Sequence, residues 1–538
     1  MSSGASAQTG AAPEPGERWR PRHNPWTIAL TVTLATFMEV LDTSIANVAL
    51  PHIAGALSST VDQSTWVLTS YLVANGIILP ISGWLSGLMG RKRFYLSCVA
   101  LFTLSSLLCG LAPSLPFLIF FRVLQGGGGG GLQPSEQSIL ADTFAPEQFG
   151  MAFAVYGMAV VLAPTIGPTL GGWITDNFSW RWVFFINVPI GICSLLLSYR
   201  IVEDPPYIRR QMRELRHNLK IDYAGLALIA AGLGLLQVVL DKGQEKDWFG
   251  SNFIASLAVL SAIALVLFVV RELRYRQPVL DLALLRRPTF AIANGMMFVV
   301  GVVMYGSTVL IPLYLQRIMG YSAQQAGMAL SAGGLVMMVS MPIAGWMLTR
   351  LDARWLIVFG FFSIAVSLRH MTGLNSGIDF NTAMMYWTYQ SVGLAFLFVP
   401  INTMAYVGIP QEKSAQVSSL INLCRNEGGS VGISLVTTIL ARRAQFHQHR
   451  LTGSVSPDSA VFRNALAGLS GRLFQHGVSA PDAAARAHAM IYAGLQTQAG
   501  VLAYIDAFWL LALMSLCVAP LAFLMRKAEP GRVRPGGH

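Results

Sequence analysis

Apolar runs of about 18 or more residues recur from one end of this chain to the other, and each is long enough to cross roughly 30 Å of hydrocarbon as a helix. No other feature narrows the fold so far. Only 12% of the 538 residues are charged, half of the roughly 25% expected of soluble domains, so these runs are not the cores of soluble units. Read in order they give about fourteen spans, at 26–50, 64–88, 94–113, 116–140, 149–173, 182–201, 222–241, 250–270, 290–314, 323–348, 355–371, 381–407, 418–440 and 499–525. The chain reads as an all-α polytopic membrane protein. Cys98, Cys109, Cys193, Cys424 and Cys517 all fall within apolar runs, as small core residues rather than a disulfide frame or a metal site.

Orientation follows from the basic residues, which gather in the loops on the cytoplasmic side. If the N-terminus is cytoplasmic, that side collects "RKR" (91–93), "RRQMRELRHNLK" (209–220), "RELRYR" (271–276), "LLRR" (284–287), "TRLDAR" (349–354) and the C-terminal basic residues. Both termini are then expected in the cytoplasm. The net charge of +11 is explained by topology, so no nucleic-acid partner is required. Residues 1–25 are polar and Pro-rich, with no signal-peptide pattern, and are expected to be a disordered tail. The stretch 207–220 reads equally as a solvated linker or as a basic amphipathic helix on the inner leaflet.

The phrase "PISGW" at 80–84 returns as "PIAGW" at 342–346, which is 262 positions later. The same shift sends span 1 onto span 9 and span 4 onto span 12. Pro51 then falls beside Pro312, and Gln125 with Pro134 is echoed by Gln390 with Pro400. Two six-helix halves in one orientation are the pattern of parallel-repeat transporters, and the repeat distance leaves room for two extra spans between them. The domain expectation is a tail at 1–25, a six-helix bundle at 26–201, a basic linker at 202–221 and an inserted pair at 222–270. A linker at 271–289, a second bundle at 290–525 with a long external loop at 441–498, and a tail at 526–538 complete it.

Four stretches carry a resemblance. "GWLSGLMGRKRFYL" (83–96) resembles the loop 2–3 signature of the major facilitator superfamily, and "RVLQG" (122–126) its fourth-span motif. "APTIGPTLGG" (163–172) is similar to the fifth-span motif of antiporters, and "LDTSIANVALP" (41–51) resembles the first-span signature of the fourteen-span drug:proton antiporters of the EmrB/QacA type. The resemblance implies a major facilitator fold and proton-coupled multidrug efflux, closest to EmrB-like permeases of the bacterial inner membrane, with no cofactor beyond the proton gradient. It implies an antiporter motif at Gly157, Pro164, Gly167, Pro168, Gly171 and Gly172, and loop residues Gly83, Gly90, Arg91 and Lys92. It also implies a periplasmic adaptor protein and an outer-membrane channel as partners, with the adaptor docked on loop 441–498. The acid usual in the loop 2–3 signature is Gly87 here, so the charge relay attributed to that acid does not transfer.

Ionisable groups inside spans are functional candidates by default, because each costs several kcal/mol in hydrocarbon. They are Glu39, Asp42, Arg122, Glu136, Arg425, Glu427 and Asp506. Glu39 and Asp42 share a helical face, and rise per residue puts Asp42 about 12 Å and Arg122 about 9 Å below the outer ends of their spans. They can meet. Desolvation favours the neutral acid and a guanidinium the carboxylate, so moving Arg122 against Asp42 or Glu39 would load or release a proton. Snorkelling or capping is the simpler reading for Asp506 and Glu136, and a structural polar knot for Arg425 with Asn426 and Glu427.

The remaining features are less specific. The run "GGGGGG" (126–131) suits close helix packing, while two prolines four apart should kink span 5. A cavity for hydrophobic substrates is expected among Gln125, Met158, Met304, Tyr305, Met337, Met338, Tyr386, Trp387 and Tyr389, since Met and aromatic groups adapt to varied ligands. The inserted pair holds no ionisable group between Asp222 and Asp241 at the ends of its first span and is expected outside the translocation path, with Gln237 dispensable. No selectivity filter, catalytic constellation, metal-ligand spacing or phosphate loop is visible, so channel, enzyme and ATP-driven pump are disfavoured. A proton-coupled symporter of the same fold stays open as the alternative.

Overall fold

The computed structural model describes residues 19, 21–217, 222–275, 278–375, 377–453, 455 and 459–527. Of the tails expected at 1–25 and 526–538, residues 1–18, 20 and 528–538 lie outside the described residues, as do residues 218–220 of the basic stretch. Among the described residues all regular structure is helical. In chain order the helices are α1 (Pro25–Ala56), α2 (Val61–Ser64), α3 (Trp66–Met89), α4 (Arg91–Leu111), α5 (Leu115–Gly129), α6 (Leu132–Thr143), α7 (Phe149–Asn177), α8 (Trp182–Phe185), α9 (Asn187–Ile201) and α10 (Pro206–His217). They continue as α11 (Tyr223–Lys242), α12 (Asn252–Arg274), α13 (Pro288–Arg317), α14 (Ala323–Met347), α15 (Ala353–Met371), α16 (Phe380–Ala405), α17 (Ser414–Thr452), α18 (Ala460–Gln475) and α19 (Ala480–Val518).

Among the described residues, eleven helical stretches are long and apolar enough to cross a membrane. The other three expected spans are also helical but fall short on length or apolarity. Span 4 is split into α5 and α6 at Gly130 and Gly131, where a run of glycines has no side chains to stabilise a continuous helix. Spans 12 and 13 are α16 and α17, rich in Ser, Thr, Asn and Gln.

Local signals set many of the ends. Asn24 caps α1 by accepting from Trp26 N at 2.9 Å, and Ser322 with Gln325 forms a reciprocal capping box at α14. The repeat-matched prolines do not end their helices. Pro51 and Pro312 sit inside α1 and α13, which run on to Ala56 and Arg317. Proline removes one backbone donor, and a long helix packed on its neighbours tolerates that as a bend.

The two halves repeat one set of packings. α1 on α7, α3 on α5, α4 on α5 and α4 on α9 in the first are matched by α13 on α17, α14 on α16, α15 on α16 and α15 on α19 in the second. The halves meet along two seams, α7 against α14 and α3 against α17. The glycine run lets the first half close tightly: a Cβ on Gly126 would lie 2.4 Å from Tyr71 O of α3, and one on Gly128 2.7 Å from Phe102 N of α4. α11 and α12 pack on each other, and α11 leans on α3 and α17. The stretch 441–498 is no plain loop. α17 runs out to Thr452, α18 follows, and α19 begins at Ala480, which contains the helical stretch expected at 482–497.

Candidate functional site

The site is built on α1, where Glu39 and Asp42 face inward one turn apart. Asp42 and Arg122 are both fully buried, with Arg122 Nη1 donating to Asp42 Oδ2 at 2.5 Å. A buried guanidinium is costly where a donor goes unpaired, and here Nη2 alone of its nitrogens meets no hydrogen-bond partner. Its Nε donates to Val67 O at 3.0 Å, Nη1 also to Gln125 Oε1 at 2.8 Å, and its plane lies over the Tyr71 ring at 4.3 Å. The second carboxylate oxygen of Asp42 accepts from Gln125 Nε2 at 3.0 Å and from Asn187 Nδ2 at 2.7 Å. Asn187 reaches it from the first turn of α9 and is held by Ser106 at 3.0 Å.

Glu39 begins a second network. Its Oε1 accepts from Asn75 at 3.1 Å and Tyr71 at 3.3 Å, and its Oε2 from Gln133 at 3.0 Å. Gln133 Oε1 accepts in turn from Tyr156 at 3.2 Å and from Arg425 of α17, so the chain of bonds crosses from one half to the other. The expected structural knot at Arg425 is thus tied to the proton-site candidates. Glu136 is fully buried between α6 and α1 and accepts from Thr36, which overturns its reading as a snorkelling residue. Asp506 of α19 accepts from Arg443 at 2.5 Å and from His447 at 2.7 Å, both on α17, an ion pair rather than the expected snorkelling or capping.

A cavity of about 480 Å³ lies beside these networks. Met304, Tyr305, Met337 and Trp387 line it as expected, together with Glu39, Tyr71, Asn75, Arg122 and Pro164. Five expected residues do not. Gln125 is taken up by the ion pair, Met158 and Tyr386 pack among helices beside the core, and Tyr389 points outward, 48% exposed. Met338 is also absent from the wall. Helical periodicity cannot say which face of an all-apolar helix is inside, and the misses other than Gln125 come from that. The inserted pair was expected outside the path, yet Gln237, Leu240 and Asp241 of α11 line the cavity. Gln237 Oε1 accepts from Ser430 at 2.9 Å, and Asp241 accepts from Thr69.

The cavity closes toward the end that carries the α3–α4 turn. There Arg91 pairs with Asp142 of α6 and donates to Ser414 Oγ at 2.7 Å, joining the two halves. Ser419 Oγ reaches Leu79 O at 2.8 Å, and a Cβ on Gly83 would lie 3.0 Å from Ala415 O. Gly90 holds φ +88° at the turn, and Lys92 is tied through its N–H to Asp204 at 2.9 Å. So Arg91 keeps an acid partner although Gly87 is not one; it comes from α6. In α7 a Cβ on Gly167 would lie 2.3 Å from Ser44 Oγ of α1 and one on Gly157 2.7 Å from Met341 Sδ of α14, whereas Gly172 meets nothing within 4 Å. Pro164 and Pro168 lie inside that unbroken helix.

The model of the Major Facilitator Superfamily matches residues 32–433. The chain belongs to that superfamily. Within it, the chain is similar to Multidrug export protein EmrB of Haemophilus influenzae, 41% identical over 81% of this chain and 84% of that protein. It is 40% identical to EmrB of Escherichia coli K12 over 80% of this chain and 83% of that one. Among solved structures, the proton:xylose symporter XylE shares the superfamily fold at a TM-score of 0.60 and 13% identity, over 95% of this chain and 97% of that one.

Proposed function

We propose that this superfamily member is a proton-coupled exporter of hydrophobic, chemically diverse compounds across the bacterial inner membrane. On this reading the chain crosses fourteen times, and the basic loops assign both termini and the α3–α4 turn to the cytoplasm. The observation that carries the reading is the dry Asp42–Arg122 pair, whose guanidinium lies on a Tyr71 ring that also lines the cavity. Exporters among its relatives at about 40% identity support the same direction of transport.

The captured conformation is closed at the cytoplasmic end and opens its cavity toward the other. A proton arriving at Asp42 from that side removes the charge that holds Arg122, and the freed guanidinium shifts against Tyr71 and Val67. The cavity wall changes with it. Return to the opposite conformation separates the Arg91–Ser414 and Ser419–Leu79 contacts, while Arg91–Asp142 stays within the first half. α17, α18 and α19 supply the projection that would dock an adaptor protein leading to an outer-membrane channel.

The test is proton flux in sealed proteoliposomes, with a hydrophobic dye added on one side. Export by exchange predicts proton movement opposite to the dye, dependent on a pH gradient. Movement of both in the same direction would establish the symporter reading instead.

A further inference from the structure

Asp42 has two amide partners, and they differ in what they offer once it takes up a proton. Gln125 is held in one orientation: its Oε1 accepts from Arg122 Nη1 at 2.8 Å and from Cys109 Sγ at 3.5 Å, while its Nε2 donates to Asp42 Oδ1 at 3.0 Å. Asn187 is fully buried, and its Nδ2 donates to Asp42 Oδ1 at 2.7 Å and to Ser106 Oγ at 3.0 Å. Its Oδ1 is sealed in and meets no donor among the described residues. A buried amide oxygen left this way is costly and calls for an explanation.

Ser106 fixes the orientation of this amide. Its hydroxyl hydrogen goes to Phe184 O at 2.9 Å, so toward Asn187 it can only accept, and the amide must present its nitrogen. Phe184 also touches the other member of the ion pair, its ring centre lying 5.6 Å from the Arg122 guanidinium carbon. The other titratable groups about Asp42 are taken up elsewhere. Tyr71 donates to Glu39 at 3.3 Å, the Cys109 thiol donates to Gln125, and Glu39 accepts from Tyr71, Asn75 and Gln133. Among the described residues that leaves the Asn187 oxygen as the spare acceptor within one bond rotation of Asp42.

A charged carboxylate needs donors only, whereas the neutral acid also carries an O–H that needs an acceptor. We propose that Asn187 is a positioning residue for the proton step, turning its amide over when Asp42 is loaded. Proton uptake forms one O–H bond, at Asp42 Oδ1, with a proton from the aqueous phase, and breaks no bond of the protein. The Asn187 amide rotates by half a turn, so that its oxygen accepts from that O–H. The Ser106 hydroxyl swings from Phe184 O to the same oxygen. Asp42 Oδ2 stays toward Arg122 as the carbonyl of a neutral acid, so the guanidinium loses its counter-charge while the acid gains a partner. The freed Phe184 carbonyl passes the change to the α8–α9 elbow. This rests on reading Asp42 as the proton site.

The test is infrared difference spectroscopy of the full-length protein in proteoliposomes, between alkaline and acidic buffer, following the C=O stretch of protonated carboxyl groups. The band that Asp42→Asn removes belongs to Asp42. Asn187→Leu keeps the bulk of the amide but neither accepts nor donates. In it the Asp42 band should move to higher wavenumber, as it does when the O–H loses its acceptor, and proton-coupled efflux should fall at least tenfold. Asn187→Ala serves the same purpose where the leucine variant does not insert. Asn187→Ser keeps a group that accepts and donates, so its band should stay closer to the wild-type position and efflux within about threefold. An Asp42 band unmoved in the leucine or alanine variant overturns the role of Asn187, even where efflux is lost, because a merely structural amide would leave the band in place. Unchanged efflux, or equal shifts with serine and leucine, overturns it as well. A wild type with no band that Asp42→Asn removes sinks the reading of Asp42 as the proton site, and this inference with it.

Discussion

A single side-chain pair decides most of the chemistry. Arg122 spends Nε on Val67 O and Nη1 on both Asp42 and Gln125, a division that only a planar fork can make. Arg122→Lys should therefore keep a charge yet lower proton-coupled efflux at least tenfold, measured as initial rates in vesicles. Asp42→Asn should abolish coupled efflux while the protein still inserts and purifies as a monodisperse species; near wild-type pumping would reduce Asp42 to a structural acid. The pair was legible beforehand because intramembrane charge is scarce and depth can be counted along a helix. Its amide partner Asn187 was not. A search restricted to ionisable groups passes over amides, and the sequence around 187 shows an otherwise ordinary apolar run. Glu136 was misjudged for a related reason: nearness to a span end does not reveal that Thr36 and the α1 surface cover it.

At the level of helices, the number and order of segments were written in hydropathy, while their ends and inner faces were not. α17 and α19 continue far past the apolar stretches because polar helices can be held by each other, as α17 and α18 pack on α19. The inserted helix α11 was misplaced because its cavity-facing stripe holds only an amide and a terminal acid. Gln237 binds Ser430 at 2.9 Å across the seam, and such a bond is worth about 1 kcal/mol, near a fivefold effect. Gln237→Leu should accordingly lower efflux about fivefold without loss of folded protein. An unchanged rate would return α11 to the role of passive filler.

Across the whole molecule, the repeat seen in five letters holds as a repeat of packings, but its chemistry is lopsided. Gln125 binds a charged Asp42, whereas Gln390 of the second half binds Ser307 at 2.6 Å. Alternation can be tested at the seam the halves share. A Cβ on Gly150 would lie 2.9 Å from Gly345 O, so Gly150→Leu should keep the cytoplasmic end from closing. With native cysteines replaced by alanine and spin labels at positions 93 and 350, the inter-label distance distribution should shift to longer values and efflux should stop. An unaltered distribution would show that this contact does not control closure. Deleting residues 452–490 should leave insertion and dye binding intact while removing co-purification with a membrane-anchored adaptor. Retained co-purification would move the docking surface elsewhere.

The two seams are not alike, and the difference governs where cargo leaves. Along α7 and α14 contact is kept at Gly150 with Gly345, at Gly157 with Met341 and at Thr165 with Ser331, so that edge behaves as the spine of a book. The α3–α17 edge is tight only near the cytoplasmic end, and farther out α11 fills the widening gap like a gusset. If the molecule exports as proposed, a greasy compound released there meets α11 where the two halves part. On that reading α11 bars sideways escape into the lipid, from which the compound would diffuse back across the bilayer and turn each proton consumed into a futile cycle.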